Sequence, residues 1–194
     1  MSGVSVTVVE NNPVITVTDN SVDLALTENT VSVIDAPYKK YGAFEYLGSQ
    51  SIAVANTAYA MNLDTTDYSA DVYNANNSRI YFPTAGVYNI QWSGQFQNLS
   101  NSAQNVYVWL RINGTDVVGS TGYISLAARK SSSPGDESHS IVGWNYFLTF
   151  IAGQYLELMW SSSSTSVSLE SYVAGINPTR PTTAALIVTA QQIA

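Results

Sequence analysis

The chain from Tyr41 to its last residue consists of about ten strand-like runs, separated by clusters of Gly, Pro, Asn and Ser. In this region no segment longer than a turn or two has the apolar period of an amphipathic helix. Short alternating runs between regular turn signals are typical of a β-sandwich or jelly roll. The sequence therefore predicts an all-β fold.

The run from Val87 to Gln97 has a clear division between its two faces. Most even-numbered side chains are apolar, whereas the odd-numbered ones from Asn89 onward are amides or a hydroxyl. Because successive side chains of a strand point to opposite faces, one face of this strand is expected in the core and the other in water. We also expect three Trp residues in the core, namely Trp92, Trp144 and Trp160.

The run from Asn105 to Ile112 has two faces that both favour burial. One face is aliphatic, and the other consists of Tyr107, Trp109 and Arg111. Aromatic rings and Arg are enriched at subunit interfaces, because they bury area while keeping hydrogen bonds. The pattern favours Tyr107, Trp109 and Arg111 as a trimer interface, and a partly exposed aromatic strand is the alternative.

The first 35 residues contain a repeat of nine residues. It aligns Glu10, Asp19 and Glu28, each followed by Asn, and apolar residues alternate between these points. Each repeat predicts one strand and one turn, which is too little for a single chain to enclose a core, so three chains could share a β-structured stalk. An antiparallel meander on the main domain and a two-sided β-roll are the alternatives.

The domain boundary follows from the charge of this repeat. The first 35 residues hold five acidic residues and no Lys or Arg, whereas the rest of the chain carries all seven basic residues. We therefore place a β-repeat stalk or attachment segment at residues 1–36 and a knob domain at residues 37–194.

Charged residues make up only 11% of the chain, and Ser, Thr, Asn and Gln supply much of its polarity. The net charge of −7 opposes binding to nucleic-acid phosphates. No apolar run is long enough to span a membrane, and the first residues have no secretion-signal pattern. We expect neither a nucleic-acid partner nor membrane insertion. The absence of Cys excludes thiol nucleophiles and disulfides.

Three segments together resemble a known superfamily. They are FPTAGVYNI from Phe82, WLRING from Trp109 and AGQYLEL from Ala152. These segments predict a turn at Pro83 to Gly86, a tight hairpin at Asn113-Gly114 and a turn at Gly153. In combination they are similar to the tumour necrosis factor and complement globular-head superfamily, and more closely to the knob domains of tailed-phage fibres and head decorations. The resemblance covers Tyr41 to Ala194 and implies a ten-stranded jelly roll that assembles as a homotrimer. The chain departs from the animal members in lacking a collagen stalk, whose place the nine-residue repeat takes.

The resemblance implies a non-enzymatic structural protein of the virion surface, as a capsid decoration or cement protein or as a short fibre or spike in host attachment. Such a protein would be made in the host cytoplasm and released by lysis. Its expected partners are further copies of itself, other virion proteins contacted through the N-terminal segment, and host-surface carbohydrate. A carbohydrate-active enzyme of the virion and a secreted tumour necrosis factor-like trimeric ligand are the alternatives.

Candidates for chemistry are few. His139, the only histidine, lies among hydroxyls and carboxylates, but residues adjacent in sequence rarely form a catalytic triad and no Gly-x-Ser-x-Gly motif is present. Asp64, Asp67 and Asp71 lack the pattern of a calcium-binding loop, so we expect solvated turn carboxylates. The sequence predicts no catalytic residue, no metal site and no cofactor.

Two loops rich in Ser are the candidates for recognition, Tyr123 to Ser140 and Ser161 to Thr165. Loops at the end of a rigid sandwich often carry binding, and neutral polar groups near aromatic rings suit sugars. The candidate recognition residues are Tyr123, Arg129, Lys130 and His139, and a merely solvated loop is the alternative.

Overall fold

The computed structural model describes residues 39–194, and the predicted repeat at residues 1–36 lies outside them. The described residues form sixteen antiparallel strands and no helix. This part of the chain accordingly contains no helix with the length and hydropathy that crossing a membrane requires. The strands build two main sheets with a core between them, which confirms the predicted all-β fold.

Sheet 1 has seven strands, two of them short. Its layer is formed, in spatial order, by β4 (Thr65–Ala70), β1 (Tyr41–Tyr46), β16 (Leu186–Gln192), β7 (Gly86–Asn98) and β11 (Ser138–Phe150). The short strands β13 (Val167–Leu169) and β2 (Gln50–Ser51) pair at the end of β7, on the same side as β16. In the described part of the chain, β11 therefore pairs with β7 alone and forms an edge of the sheet.

Sheet 2 also has seven strands. Its layer is formed by β5 (Tyr73–Ala75), β6 (Arg79–Phe82), β12 (Gln154–Ser162), β8 (Gln104–Ile112) and β10 (Gly122–Leu126). The short strands β3 (Tyr59–Ala60) and β9 (Thr115–Asp116) pair with β12 and β8, respectively. A separate hairpin consists of β14 (Gly175–Ile176) and β15 (Thr179–Arg180).

The core is built by alternate side chains of the central strands. Tyr88 and Ile90 from β7 and Leu156 and Trp160 from β12 are completely buried. The predicted division of β7 into a core face and an outer face is thus confirmed, with one departure at its end. Gln97, which was expected in water, is only 8% exposed because short strand β13 pairs beside it and its side chain reaches a loop tyrosine.

The three Trp residues expected in the core do not share one environment. Trp92 and Trp160 are buried, but Trp144 is 48% exposed, so its assignment to the core was wrong. Trp144 lies on the inward side of β11 opposite Trp92, and its ring rests against Gly122 of β10. An edge strand has a neighbour on one side only, so its inward side chains are covered only in part.

The turns predicted from the sequence are present. Pro83 to Gly86 connects β6 to β7, and Gly153 has a positive φ of 84° immediately before β12. Asn113 and Gly114 have φ values of 47° and 80° and join β8 to β9 in a two-residue hairpin. Positive φ at both central residues matches the right-handed twist of the flanking strands and favours Asn-Gly.

The two ends of the described chain meet at one pole of the sandwich. The backbone amide of Gln192 donates to the Lys40 carbonyl at 2.7 Å, and the backbone amide of Val87 donates to the Ala194 carbonyl at 2.7 Å. The opposite pole, called the loop pole below, carries residues 99–103, 127–137 and 163–166. These three loops are joined by backbone bonds of 3.0 Å from Leu99 to Ser166 and from Arg129 to Ser100.

Candidate functional site

The three residues predicted as a trimer interface lie together on the outer face of sheet 2 and are half-buried within the single chain. Trp109 Nε1 and Arg111 Nε both donate to Asp116 Oδ1, at 2.8 and 2.7 Å. The Tyr107 ring packs edge-on against Tyr123, with centroids 5.1 Å apart. Each of the three thus has a partner within its own chain, and their role between subunits stays a prediction.

The hairpin at Asn113-Gly114 explains why Asp116 reaches both donors. It places Asp116 directly opposite Arg111 in the strand register. The hydrogen bond from Arg111 and then that from Trp109 lower the pKa of Asp116. This end of sheet 2 is therefore held together by a charge-assisted contact that uses side chains the sequence pattern had assigned to a partner.

The outer face of sheet 2 continues as a row of polar and aromatic contacts. Glu157, only 8% exposed, accepts a hydrogen bond from Arg79 Nε at 3.1 Å. The Arg79 guanidinium lies 4.3 Å from the centre of the Tyr155 ring. Tyr73 and Tyr81 stack with centroids 5.3 Å apart. This surface satisfies its own polar groups.

The four candidate recognition residues do not form one site. The loop between β10 and β11 covers residues 127–137, so Tyr123 and His139 lie in strands. The apolar alternation of β10 continues to Leu126, and His139 is in β11 because its backbone pairs with Gln97 of β7. Arg129 Nε donates to Asn101 Oδ1 at 2.8 Å, and Lys130 is exposed in the loop. Tyr123 faces the sheet 2 side, whereas His139 faces Tyr172 on the sheet 1 side.

The outer face of sheet 1 has apolar side chains at its two margins. Phe147, 66% exposed, stands on the β11 margin, and Tyr41 and Tyr68, 41% and 73% exposed, stand on the β1–β4 margin. The strand register places Phe147 opposite Asn89, which in turn lies opposite Gln191, the partner of Tyr41. The margins are therefore about 15 Å apart at ordinary strand spacing.

Between these margins the face is almost uncharged. The outward positions of β7 carry Asn89, Gln91, Ser93 and Gln95, and a shallow depression of about 320 Å³ lies beside them. Glu45 is the single carboxylate on the outward positions of β1, β7, β11 and β16, which hold no Lys or Arg. Burial raises the pKa of Glu45, and the carboxylates of Asp67 and Asp64 raise it further.

The sequence of β11 also favours burial on both faces, but no residue of β11 was among those predicted for the interface. Its even-numbered positions include Trp144 and Tyr146, and its odd-numbered positions include Ile141 and Phe147. The same two-sided pattern in β8 is the basis of the predicted trimer interface. Ile141 is 73% exposed, whereas the three residues predicted for the interface are half-buried.

The acidic and histidine side chains of the described residues form no metal-binding cluster. Within residues 39–194, no three His, Cys, Asp or Glu side chains lie close enough to hold a metal ion. Asp64 accepts hydrogen bonds from the Leu47 amide and from Thr65, whereas Asp71 accepts one from Thr84. The ring of His139 contacts a tyrosine hydroxyl and not a serine. The sequence matches no known family model and no curated protein.

Proposed function

We propose that this chain is a non-enzymatic structural protein of the virion surface, a homotrimeric capsid decoration or short fibre or spike. Its knob is a jelly roll, and its N-terminal segment attaches to other virion proteins. The observation that carries the proposal is the pair of apolar margins on the outer face of sheet 1. Apolar rings grouped at the margins of a polar face are typical of a surface that contacts another chain.

The two margins differ from each other, which bears on the symmetry of the assembly. When the Phe147 margin of one copy meets the Tyr41 and Tyr68 margin of the next, the contact is head-to-tail. Head-to-tail contacts close into rings if the rotation between copies allows it, and otherwise continue as filaments. A closed ring of three is the assembly that the sequence resemblance implies.

The free edge of β11 supports the same arrangement. Within the described residues its thirteen positions pair with β7 on one side only. An edge strand of this length offers backbone donors and acceptors and is normally covered or blocked by charge. No Lys, Arg, Asp or Glu lies in β11, so a neighbouring subunit is a suitable cover.

The strand order supports the jelly-roll part of the proposal. In sheet 1, β7 lies between β16 and β11, and in sheet 2, β12 lies between β6 and β8. The central strands of each sheet thus have neighbours from distant parts of the chain, and the five longest strands, β7, β8, β11, β12 and β16, alternate between the two sheets. Such crossing connections are expected of a jelly roll and not of a meander.

The size of the apolar margins is compatible with an assembled state. Phe147, Tyr68 and Tyr41 together expose roughly 350 Å², taking about 200 Å² for each side chain when fully exposed. A stable interface buries about 800 Å² on each partner, with an apolar centre and a polar rim. The rings would form the centres of the contacts, and the amides and hydroxyls of β7 would form the rims.

The decisive measurement is the mass of the full-length protein in solution by light scattering. We expect a trimer at micromolar concentration, and we expect Phe147→Glu to dissociate it, because a carboxylate would be buried in an apolar contact. Val118→Glu is the matched control, since Val118 is fully exposed near the opposite sheet and its substitution should leave the trimer intact. A monomeric mass for the unmodified protein contradicts the proposal.

A second variant separates the two candidate interfaces. If Tyr107→Glu dissociates the trimer and Phe147→Glu does not, the subunits meet through sheet 2. The virion location is tested independently by labelling purified particles with an antibody against the knob. Particles without the protein would contradict the structural role even if the trimer forms.

A further inference from the structure

A groove lies at the loop-pole end of the outer face of sheet 1, about 20 Å along β11 from Phe147. The groove is open to solvent and has a volume of about 520 Å³. Its walls come from two parts of the chain: Gln95, His139 and Ile141 from the sheet, and Tyr172, Arg180 and Thr183 from the segment before β16. The segment includes the β14–β15 hairpin, which carries Arg180.

The polar groups at the base of the groove are held in place by neighbours. The Tyr172 amide donates to Thr183 Oγ1 at 2.8 Å, which fixes the backbone. Gln97 Nε2 donates to the Tyr172 hydroxyl at 3.1 Å, and His139 Nδ1 lies 3.3 Å from that hydroxyl. Because Gln97 is itself buried, this arrangement exists before any ligand arrives.

The charge of the groove comes from one guanidinium. Among the described residues Arg180 makes no hydrogen bond and no ion pair, in contrast to Arg79 and Arg111, which pair with carboxylates. Its side chain lies over Gly175, where an added Cβ would meet Nη1 at 2.5 Å. No carboxylate lines the groove, so the cation is free to bind an anionic ligand.

The surroundings limit how much negative charge the ligand can carry. Burial raises the pKa of Tyr172, and so do the nearby carboxylates of Glu170 and Glu137, so the phenol remains a hydroxyl at neutral pH. These two carboxylates and the net charge of −7 repel a polyanion. A ligand with a single carboxylate fits better than a phosphate or sulfate polymer.

The remaining walls suit a ring that is polar at its edge and apolar on its face. Ile141 is 73% exposed and forms an apolar wall, and the Tyr172 and His139 rings meet at 76° with centroids 5.9 Å apart. The side-chain oxygen of Gln95, whose Nε2 donates to the Glu170 carbonyl, and the hydroxyl of Tyr172 offer neutral hydrogen-bonding groups. Sugar-binding sites commonly combine aromatic or apolar faces with neutral polar groups in this way.

We propose that this groove binds the carboxylate-bearing sugar residue of a cell-surface glycan, with Arg180 on the carboxylate and Tyr172 and Gln95 on the hydroxyls. The choice of a cell-surface ligand rests on the virion role proposed above, whereas the groove and its charge do not. Ile141 takes the apolar face of the sugar ring. The site is distinct from the loop residues Arg129 and Lys130, which line no part of it.

The test uses the full-length protein and titration calorimetry with sodium glucuronate and N-acetylneuraminate. We expect binding in the millimolar range, and about tenfold weaker binding after Arg180→Gln because the charge-assisted contact is lost. Tyr172→Phe should weaken binding several-fold. Arg129→Gln is the matched control, since Arg129 lies at the same pole but bonds Asn101, and it should leave the affinity unchanged.

Neutral ligands and a peptide decide the ligand class. Glucose and the methyl ester of glucuronate should bind about tenfold more weakly than glucuronate, because each lacks the anionic carboxylate. Equal binding of acidic and neutral sugars, tighter binding of a glutamate-containing peptide, or full affinity in Arg180→Gln would overturn the proposal. Light scattering on the same samples distinguishes the two proposals. A trimer that binds no acidic sugar contradicts only the proposed sugar site. A monomer that binds an acidic sugar contradicts only the proposed trimer.

Discussion

The contact between Gly122 and Trp144 allows a test of how β10 of sheet 2 packs against β11 at the edge of sheet 1. A Cβ added at Gly122 would lie 2.0 Å from Cζ3 of the Trp144 ring. Gly122→Ala therefore forces the ring to move. Since Trp144 is already 48% exposed, it can swing toward solvent, and the cost is the loss of its remaining burial.

The magnitude follows from the area that the ring loses. About half of a Trp side chain of roughly 250 Å² is covered, so about 125 Å² becomes exposed, which at about 25 cal/mol/Å² costs at most about 3 kcal/mol. Replacing Gly by Ala inside a strand returns about 0.5–1 kcal/mol. We expect Gly122→Ala to lower the free energy of unfolding by about 2 kcal/mol and the melting temperature by about 4–8 °C.

A double-mutant cycle checks the cause as well as the size. The four proteins are the unmodified chain, Gly122→Ala, Trp144→Ala and the double variant, unfolded in guanidinium chloride at one protein concentration. Without the Trp144 ring, the added methyl group has space, so Gly122→Ala should cost nothing in the Trp144→Ala background. An equal cost in both backgrounds would refute the reasoning, because the clash would then lie with other neighbours of β10.

Two further predictions concern the outer face of sheet 2 and the loop pole. Asp116→Asn should lower the free energy of unfolding slightly at neutral pH and less below about pH 4. The hydrogen bond from Arg111 lowers the folded-state pKa of Asp116, so the stabilisation from this carboxylate is lost as it protonates. A difference in unfolding free energy between the two proteins that stays constant over the whole pH range would contradict this. Asn98→Ala should cost about 2–4 kcal/mol in chemical denaturation, since the buried Asn98 side chain bonds three backbone groups of two loops. Asn101→Ala, at an exposed position, should change the free energy of unfolding little, and equal effects of the two substitutions would show that Asn98 does not organise the loops.

The local features of the fold were predictable because they depend on neighbours in sequence. Alternation in β7 correctly predicted which side chains of that strand are buried, except for Gln97 at its end. The Asn113-Gly114 pair correctly predicted a tight hairpin, because few residues adopt positive φ at two successive positions. Both conclusions need only the period of a strand and the chemistry of a turn.

Features that depend on strand order were not predictable in this way. Trp144 reads as a core residue, yet it is half-exposed because β11 is an edge strand, and edge position is decided by pairing between distant parts of the chain. The pattern of β8 likewise cannot show that Asp116 satisfies Trp109 and Arg111. The groove joins His139 to Tyr172 and Arg180, which follow it by more than thirty residues and lie in no periodic segment.

Lys40 and Ala194 lie at the same pole, so both ends of the described domain are on one side of the sandwich. A tether at either end of residues 39–194 leaves the loop pole about 40 Å away, the length of the thirteen-residue strand β7. A reporter fused after Ala194 would therefore crowd whatever holds the chain at Lys40. A peptide spliced into residues 127–137 would instead be displayed at the far end, beside Arg129 and within reach of the surrounding medium.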